Sequence, residues 1–194
     1  MIKHVLLRAR LEYYELADAA VGSADFLKYI RHHQIDVASA GGFAGATAVL
    51  PIGKLGDQRF NFDPDGDLAF VCEAYAVDGE SIVDLVAWLL NEPGTPLTMF
   101  GRGGLLGLWQ AMAPGTYFMG GSLRLHWTPL KWLQAGCDGA AVVDPHLAGQ
   151  ELLVAPGPIA AEDQAHGRDI VKLLRSAAAI DNKVIAPFEN RRVA

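Results

Sequence analysis

Cysteine is nearly absent from this chain: of 194 residues only Cys72 and Cys137 carry a thiol, far apart and each inside an apolar run. That excludes a disulfide framework and a zinc site built on CxxC pairs, and both thiols are expected to be buried in a reducing compartment. Basic residues are also scarce, with 16 Lys and Arg against 22 Asp and Glu and a formal net charge of −6. Non-specific nucleic-acid binding is disfavoured, because phosphate contacts need clustered cations. Long apolar runs are missing as well. The longest uncharged stretch, Gly103 to Leu123, holds six glycines and a Pro114-Gly115 break, so it reads as two elements and a turn, and no membrane span is expected. Met1–Arg8 lacks a cleavage site of small residues, and the expected location is cytoplasmic.

Several catalytic signatures are missing too. There is no GxxxxGK[ST], HExxH or GxSxG, which removes support for nucleotide-cradling P-loops, zincins and serine-hydrolase elbows. Gly101-Arg102-Gly103-Gly104-Leu105-Leu106-Gly107 has Leu where a dinucleotide fingerprint needs its third glycine. Asp63-Pro64-Asp65-Gly66-Asp67 fails the calcium-loop spacing and reads as a polar turn. Adjacent His32 and His33 would point about 100° apart on a helix, so they do not suit one metal.

What is present suffices for a core: 51% of residues are hydrophobic and 20% charged. Ile2, Val5, Leu6, Ala9, Tyr13, Leu16 and Ala20 follow helical spacing, and Ser23 can cap a second helix carrying Phe26, Leu27 and Ile30. The expected organisation is therefore an N-terminal helical hairpin over 1–36, a main domain over 46–180, and a C-terminal tail over 181–194. The Ala- and Gly-rich stretch from Val37 to Gly53 marks the boundary.

Within the main domain, strands are expected at Ala46–Leu50, Arg59–Phe62, Leu68–Val77, Leu97–Phe100, Ser122–Trp127, Ala140–Val143, Leu152–Val154 and Pro158–Ala161. Helices are expected at Gly103–Ala113, after Thr128-Pro129, and over Glu162–Ala179. Residues 80–90 fit either a helix capped by Ser81 or the return strand of a hairpin, and Asp78-Gly79 favours the hairpin. The fold class is α/β or α+β, with a central mixed sheet of about five to seven strands and flanking helices.

Chemistry concentrates at strand ends. The buried run Ala140–Val143 stops on Asp144, followed by Pro145, His146 and Gly149, and the carboxyl ends of strands are where open α/β sheets bind ligands. Glu73 interrupts the apolar strand Leu68–Val77, and Glu162-Asp163 precede the last helix. Glu73, Asp144, Glu162 and Asp163 are the candidate metal ligands, since converging carboxylates suit Mg²⁺ or Mn²⁺. The candidate catalytic residues are Asp144, His146 and Glu73. Arg102, Gly103, Gly104 and Arg168 are candidates for holding an anion.

Asp144-Pro145-His146-Leu147-Ala148-Gly149-Gln150 resembles the DPDxxGE signature of Toprim domains, and Glu73 resembles that family's upstream glutamate. Here His146 stands for the second acid, Gln150 for the final Glu, and Ala74 for the usual Gly. The resemblance spans about residues 68–174. It implies a Rossmann-like sheet, a helix after Glu73, and an acidic Mg²⁺ site acting on nucleic-acid phosphates.

Two functional classes follow. In the first, the chain is a non-enzymatic interaction or regulatory protein, with a homodimer as one form, and Trp88, Trp109, Trp127 and Trp132 are core or interface anchors. In the second, it is associated with nucleic acid, with Asp144 and Glu73 on a metal, His146 as ligand or general base, and Arg102 or Arg168 on phosphate.

Overall fold

The computed structural model describes residues 2–20, 23–36 and 46–178. The expected tail over 181–194 and most of the boundary stretch after Val37 lie outside these residues. The chain folds as mixed α/β with an N-terminal pair of helices, α1 (Ile2–Ala20) and α2 (Ala24–His32). Ser23 caps α2, its Oγ accepting the Phe26 N–H at 3.2 Å. The expected apolar stripe of α1 is only partly its buried face, with Ala9 and Ala20 half-buried. Tyr13 and Ala17 are buried, whereas Val5 and Leu16 face solvent, because the helix rests on the sheet through its small and aromatic residues.

The strands divide between two sheets, where a single central sheet was expected. β1 (Ala48–Leu55), β2 (Arg59–Phe62), β3 (Asp67–Tyr75), β4 (Ile82–Leu89) and β5 (Leu97–Thr98) close into a five-stranded barrel in the order β1-β2-β5-β4-β3. Closure removes the sheet edges. Residues 82–89 are the return strand of an antiparallel hairpin. Gly79 takes φ +71° at its tip, and Asp78 accepts hydrogen bonds from the N–H groups of Glu80 and Ser81. β1 also runs further than expected, through Pro51. Pro51 pairs with Leu68 of β3, and β2 joins only from Ile52 onward, so the missing N–H falls where β1 has one neighbour.

A second sheet has the order β6-β8-β7-β9, from β6 (Leu105–Leu106), β7 (Leu123–His126), β8 (Ala140–Val142) and β9 (Ile159–Ala160). The glycine-rich helix expected over 103–113 is shorter. Gly103 and Gly104 lead into β6, and only α3 (Leu108–Met112) is α-helical, followed by a 3₁₀ segment at Pro114–Gly120. β7, β8 and β9 are parallel, linked by α4 (Pro129–Gln134) and α5 (Pro145–Leu153), and α6 (Gln164–Ala178) follows β9. α5 takes residues 152 and 153, where a strand was expected. Asp144 at the N-cap and Pro145 at the first helical position start it.

β3 and β4 are buried on both faces, which explains their unbroken apolar character. Val71, Leu85 and Ala87 join Tyr13 and Phe60 in one core, while Phe70, Val86 and Trp88 join Tyr29, Trp132 and Ala141 in another. Phe70 and Trp88 stack at 4.9 Å, and the Trp88 indole donates to Tyr29 Oη at 2.9 Å. The far face of the second sheet packs Leu105, Leu123 and Leu125 against Ala148, Leu152 and Ile170. Cys72 and Cys137 are both buried.

Candidate functional site

The carboxylates that the sequence singles out fall into three separate structural roles. Glu73 lies in β3, 3% exposed, on the face that meets α1. Its carboxylate accepts from Tyr14 Oη at 2.7 Å, Tyr75 Oη at 2.6 Å and the Ala46 N–H at 3.2 Å, with Arg10 Nε 3.9 Å away. Burial and the bond to Glu73 raise the Tyr75 and Tyr14 phenols above their ordinary range. Glu73 thus ties α1 to the barrel. It is followed by the strand β4, so the helix that the Toprim resemblance implies after it is not there.

Asp144 follows β8 of the other sheet by two residues. Its Oδ1 accepts the N–H groups of His146 at 2.8 Å and Leu147 at 3.0 Å, capping α5. His146 is exposed on the first turn, its Nε2 accepting from the Gln150 side chain at 3.2 Å. The structure therefore places Glu73 and Asp144 in different sheets, each with its own partners.

Glu162 and Asp163 follow β9 and do meet other functional-type residues. Glu162 Oε1 lies 3.2 Å from His126 Nδ1 and accepts the Trp127 N–H, while Oε2 accepts Lys131 Nζ at 2.6 Å. Burial pushes this carboxyl up, but the bonds from Lys131, Trp127 and His126 outweigh it and hold Glu162 below its ordinary value. His126 Nε2 lies 2.8 Å from the Asp138 carbonyl, so both ring nitrogens are occupied. Asp163 caps α6 by accepting the His166 N–H at 2.8 Å. The His166 ring stacks on Trp127 at 4.4 Å, and burial lowers its pKa. This network closes the carboxyl ends of β7 and β9 as a clamp.

The glycine-rich loop is already filled by a side chain of the chain itself. Asp84 of β4 is fully buried, and its carboxylate accepts five backbone N–H groups, from Leu85, Met99, Phe100, Arg102 and Gly103. The shortest is the Arg102 N–H at 2.6 Å. Burial raises Asp84 against the pull of those N–H groups. Two of the backbone donors proposed for an external anion, on Arg102 and Gly103, are thus spent on Asp84. Arg102 itself is exposed, and Arg168 projects from α6 beside Lys172.

Gly104 serves a further purpose. Its carbonyl accepts from the Val143 and Asp144 N–H groups at 2.8 and 3.2 Å. A Cβ there would stand 2.3 Å from Glu151 Oε2 and 2.7 Å from the Ala148 nitrogen. Glu151 is the unexpected member. Its Oε2 is buried without a hydrogen-bond partner, and burial pushes the carboxyl up to about 7, against the Gly104 N–H and with Asp144 adding repulsion.

Asp84, His126 and Glu151 were missed by sequence reasoning. A lone Asp inside the apolar run Ile82–Leu89 was the available signal for Asp84, since a buried charge must find partners. Among the described residues no three of His, Cys, Asp and Glu come together to hold a metal ion, and no helix is long and apolar enough to cross a membrane. No family model matches the chain, and no curated protein or solved structure is significantly similar to it.

Proposed function

We propose that this chain is a non-enzymatic interaction protein that pairs with a second copy of itself through the outer face of α1. The observation that carries this reading is an exposed apolar set on a well-anchored helix. Val5, Leu7, Leu11 and Leu16 are 54%, 53%, 56% and 37% exposed, with Leu7 and Leu11 on one flank and Val5 and Leu16 on the other of the face through which Tyr13 and Ala17 hold the helix to the barrel. Leu7 and Leu11, four residues apart, form an exposed apolar ridge bordered by Arg8, Glu12 and Glu15, and exposed apolar surface rimmed by charge marks interaction sites. The charges on α1 are segregated, with Arg8 toward its start and Glu12, Glu15 and Asp18 toward its end. An antiparallel two-fold pairing sets opposite signs side by side, as an isologous interface requires.

The occupied state of the carboxylates supports the same reading, since Glu73, Asp84, Asp144 and Glu162 each hold an element in place. The alternative raised by the Toprim-like segment draws on Asp144 and Glu73, and no geometric observation favours it over self-association. Sedimentation velocity at micromolar chain concentration tests the proposal. The wild type is expected to sediment as a dimer, and Leu7→Glu with Leu11→Glu as a folded monomer. A wild type that stays monomeric at every concentration sinks it.

A further inference from the structure

Four consecutive backbone N–H groups lie where the barrel joins the second sheet, and two carboxylates from opposite sides share them. The Arg102 and Gly103 N–H groups are taken by Asp84 of β4. The next two, on Gly104 and Leu105, face Glu151 near the end of α5. Leu105 opens β6, which pairs with β8 alone, so Glu151 serves a strand with a single ladder partner.

The seat of Glu151 is tight and incomplete. Its Oε2 stands in the space that a side chain at 104 would fill, enclosed and without a hydrogen-bond partner, although the residue as a whole is half-buried. An enclosed, unpartnered oxygen is tolerable on a neutral carboxyl and costly on an anion. The charged group that acts on it is Asp144, at the start of the same helix, and the effect is repulsion. The loop and β6 face it with N–H groups, and α6 meets α5 through Leu173 and Ala177 at Gly149. No cation among the described residues pairs with it.

We propose that Glu151 is a proton-operated latch on the junction between the two sheets: neutral, it is seated against Gly104 and Leu105; ionised, it turns out to solvent and uncovers their N–H groups. The turn needs only a side-chain rotation, because one side of the residue already meets water. Gly104 stays on the second sheet through its carbonyl, which accepts from Val143 and Asp144, and Asp84 keeps the other half of the junction. Opening is therefore confined to two amides. It falls near neutrality, since burial and Asp144 raise the carboxyl to about 7 against the pull of the two N–H groups. The latch is closed in mild acid and open in mild base.

Amide hydrogen exchange of the full chain at pH 5.5 and 8.5 tests this, each rate being divided by that of an unstructured peptide at the same pH. Protection at Gly104 and Leu105 is expected to fall at least tenfold between the two. It is expected to fall further than at Val71 and Val86, whose amides report opening of the whole barrel. Glu151→Gln, which stays neutral, is expected to keep its low-pH protection at both values. A fall at 104 and 105 no larger than that at Val71 and Val86 overturns the proposal. So does a fall that persists in Glu151→Gln, which would assign the transition to another group.

Discussion

The barrel and the second sheet bury the same kinds of side chain but hold their strands by different means. β1, β3 and β4 run eight or nine residues and are joined by continuous antiparallel ladders. β6, β8 and β9 run only two or three. In that second sheet the alignment comes from single polar contacts: Thr128 and Asp144 capping α4 and α5, Glu162 joining β7 to α4, and Gly104 docked on α5. Where ladders are short, caps and close backbone approaches take over register, so single substitutions should weigh more heavily there. The loop 99–104 connects the two halves and touches a buried carboxylate on each side. Asp84, on the barrel side, is saturated with donors, and Glu151, on the other, has an unpartnered oxygen.

Removing the saturated carboxylate is expected to have the largest effect. Asp84→Ala removes an acceptor from five backbone N–H groups; Met99 keeps the Leu85 carbonyl at 2.9 Å, and each group left without a partner costs about 1 kcal/mol or more. A loss of at least about 4 kcal/mol in urea unfolding is expected, at the severe end for one substitution. Asp84→Asn keeps the shape but turns an amide N–H₂ toward donors, and should fall between the alanine variant and wild type. Equal stability of Asp84→Asn and wild type would break the contrast between the two halves at its strongest point. Gly104→Ala comes next. Its methyl collides with Glu151 and the Ala148 nitrogen, so a loss of about 2 kcal/mol is expected from overpacking. Gly115→Ala meets nothing within 4 Å and serves as the control, with a change within about 0.5 kcal/mol.

Much of the architecture was legible because local chemistry and tertiary context agreed. Ser23 and Thr128-Pro129 each carry a cap signal, Asp78-Gly79 carries the turn signal that favoured the hairpin, and each stands where its residue type demands. The failures share another cause. Leu152–Val154 reads as strand by composition, but the Asp144-Pro145 start eight residues earlier had already committed it to α5. The division into two sheets was invisible, because β3 and β4 are apolar on both faces and nothing local says which neighbour covers which face. The candidate carboxylates Glu73, Asp144, Glu162 and Asp163 each anchor an element of the fold. Their companions were not legible, since Tyr14 meets Glu73 across 59 positions and Glu162 meets Lys131 across 31.

Glu151 gives the smallest effect and the sharpest sign. Its carboxyl is raised from 4.5 to about 7 in the folded chain, so the native state holds a proton that the unfolded state releases between those values. Below the lower value both states are neutral and no penalty exists. As pH rises toward 7 the folded state is progressively penalised, and above 7 the penalty is complete. Glu151→Gln keeps the size and removes the charge. It should therefore match wild type at low pH and exceed it above pH 7, by about 1 kcal/mol once screening of this partly exposed group is allowed for, or about 3 °C in Tm. His166 acts with the opposite sign: burial lowers its pKa, so its contribution is lost as pH falls below the unfolded histidine value near 6.5. The difference between Glu151→Gln and wild type cancels that term and isolates Glu151. A difference in Tm that stays flat between pH 4.5 and 8 would mean that the unpartnered oxygen carries no charge penalty, and the two halves of the 99–104 loop would then be alike.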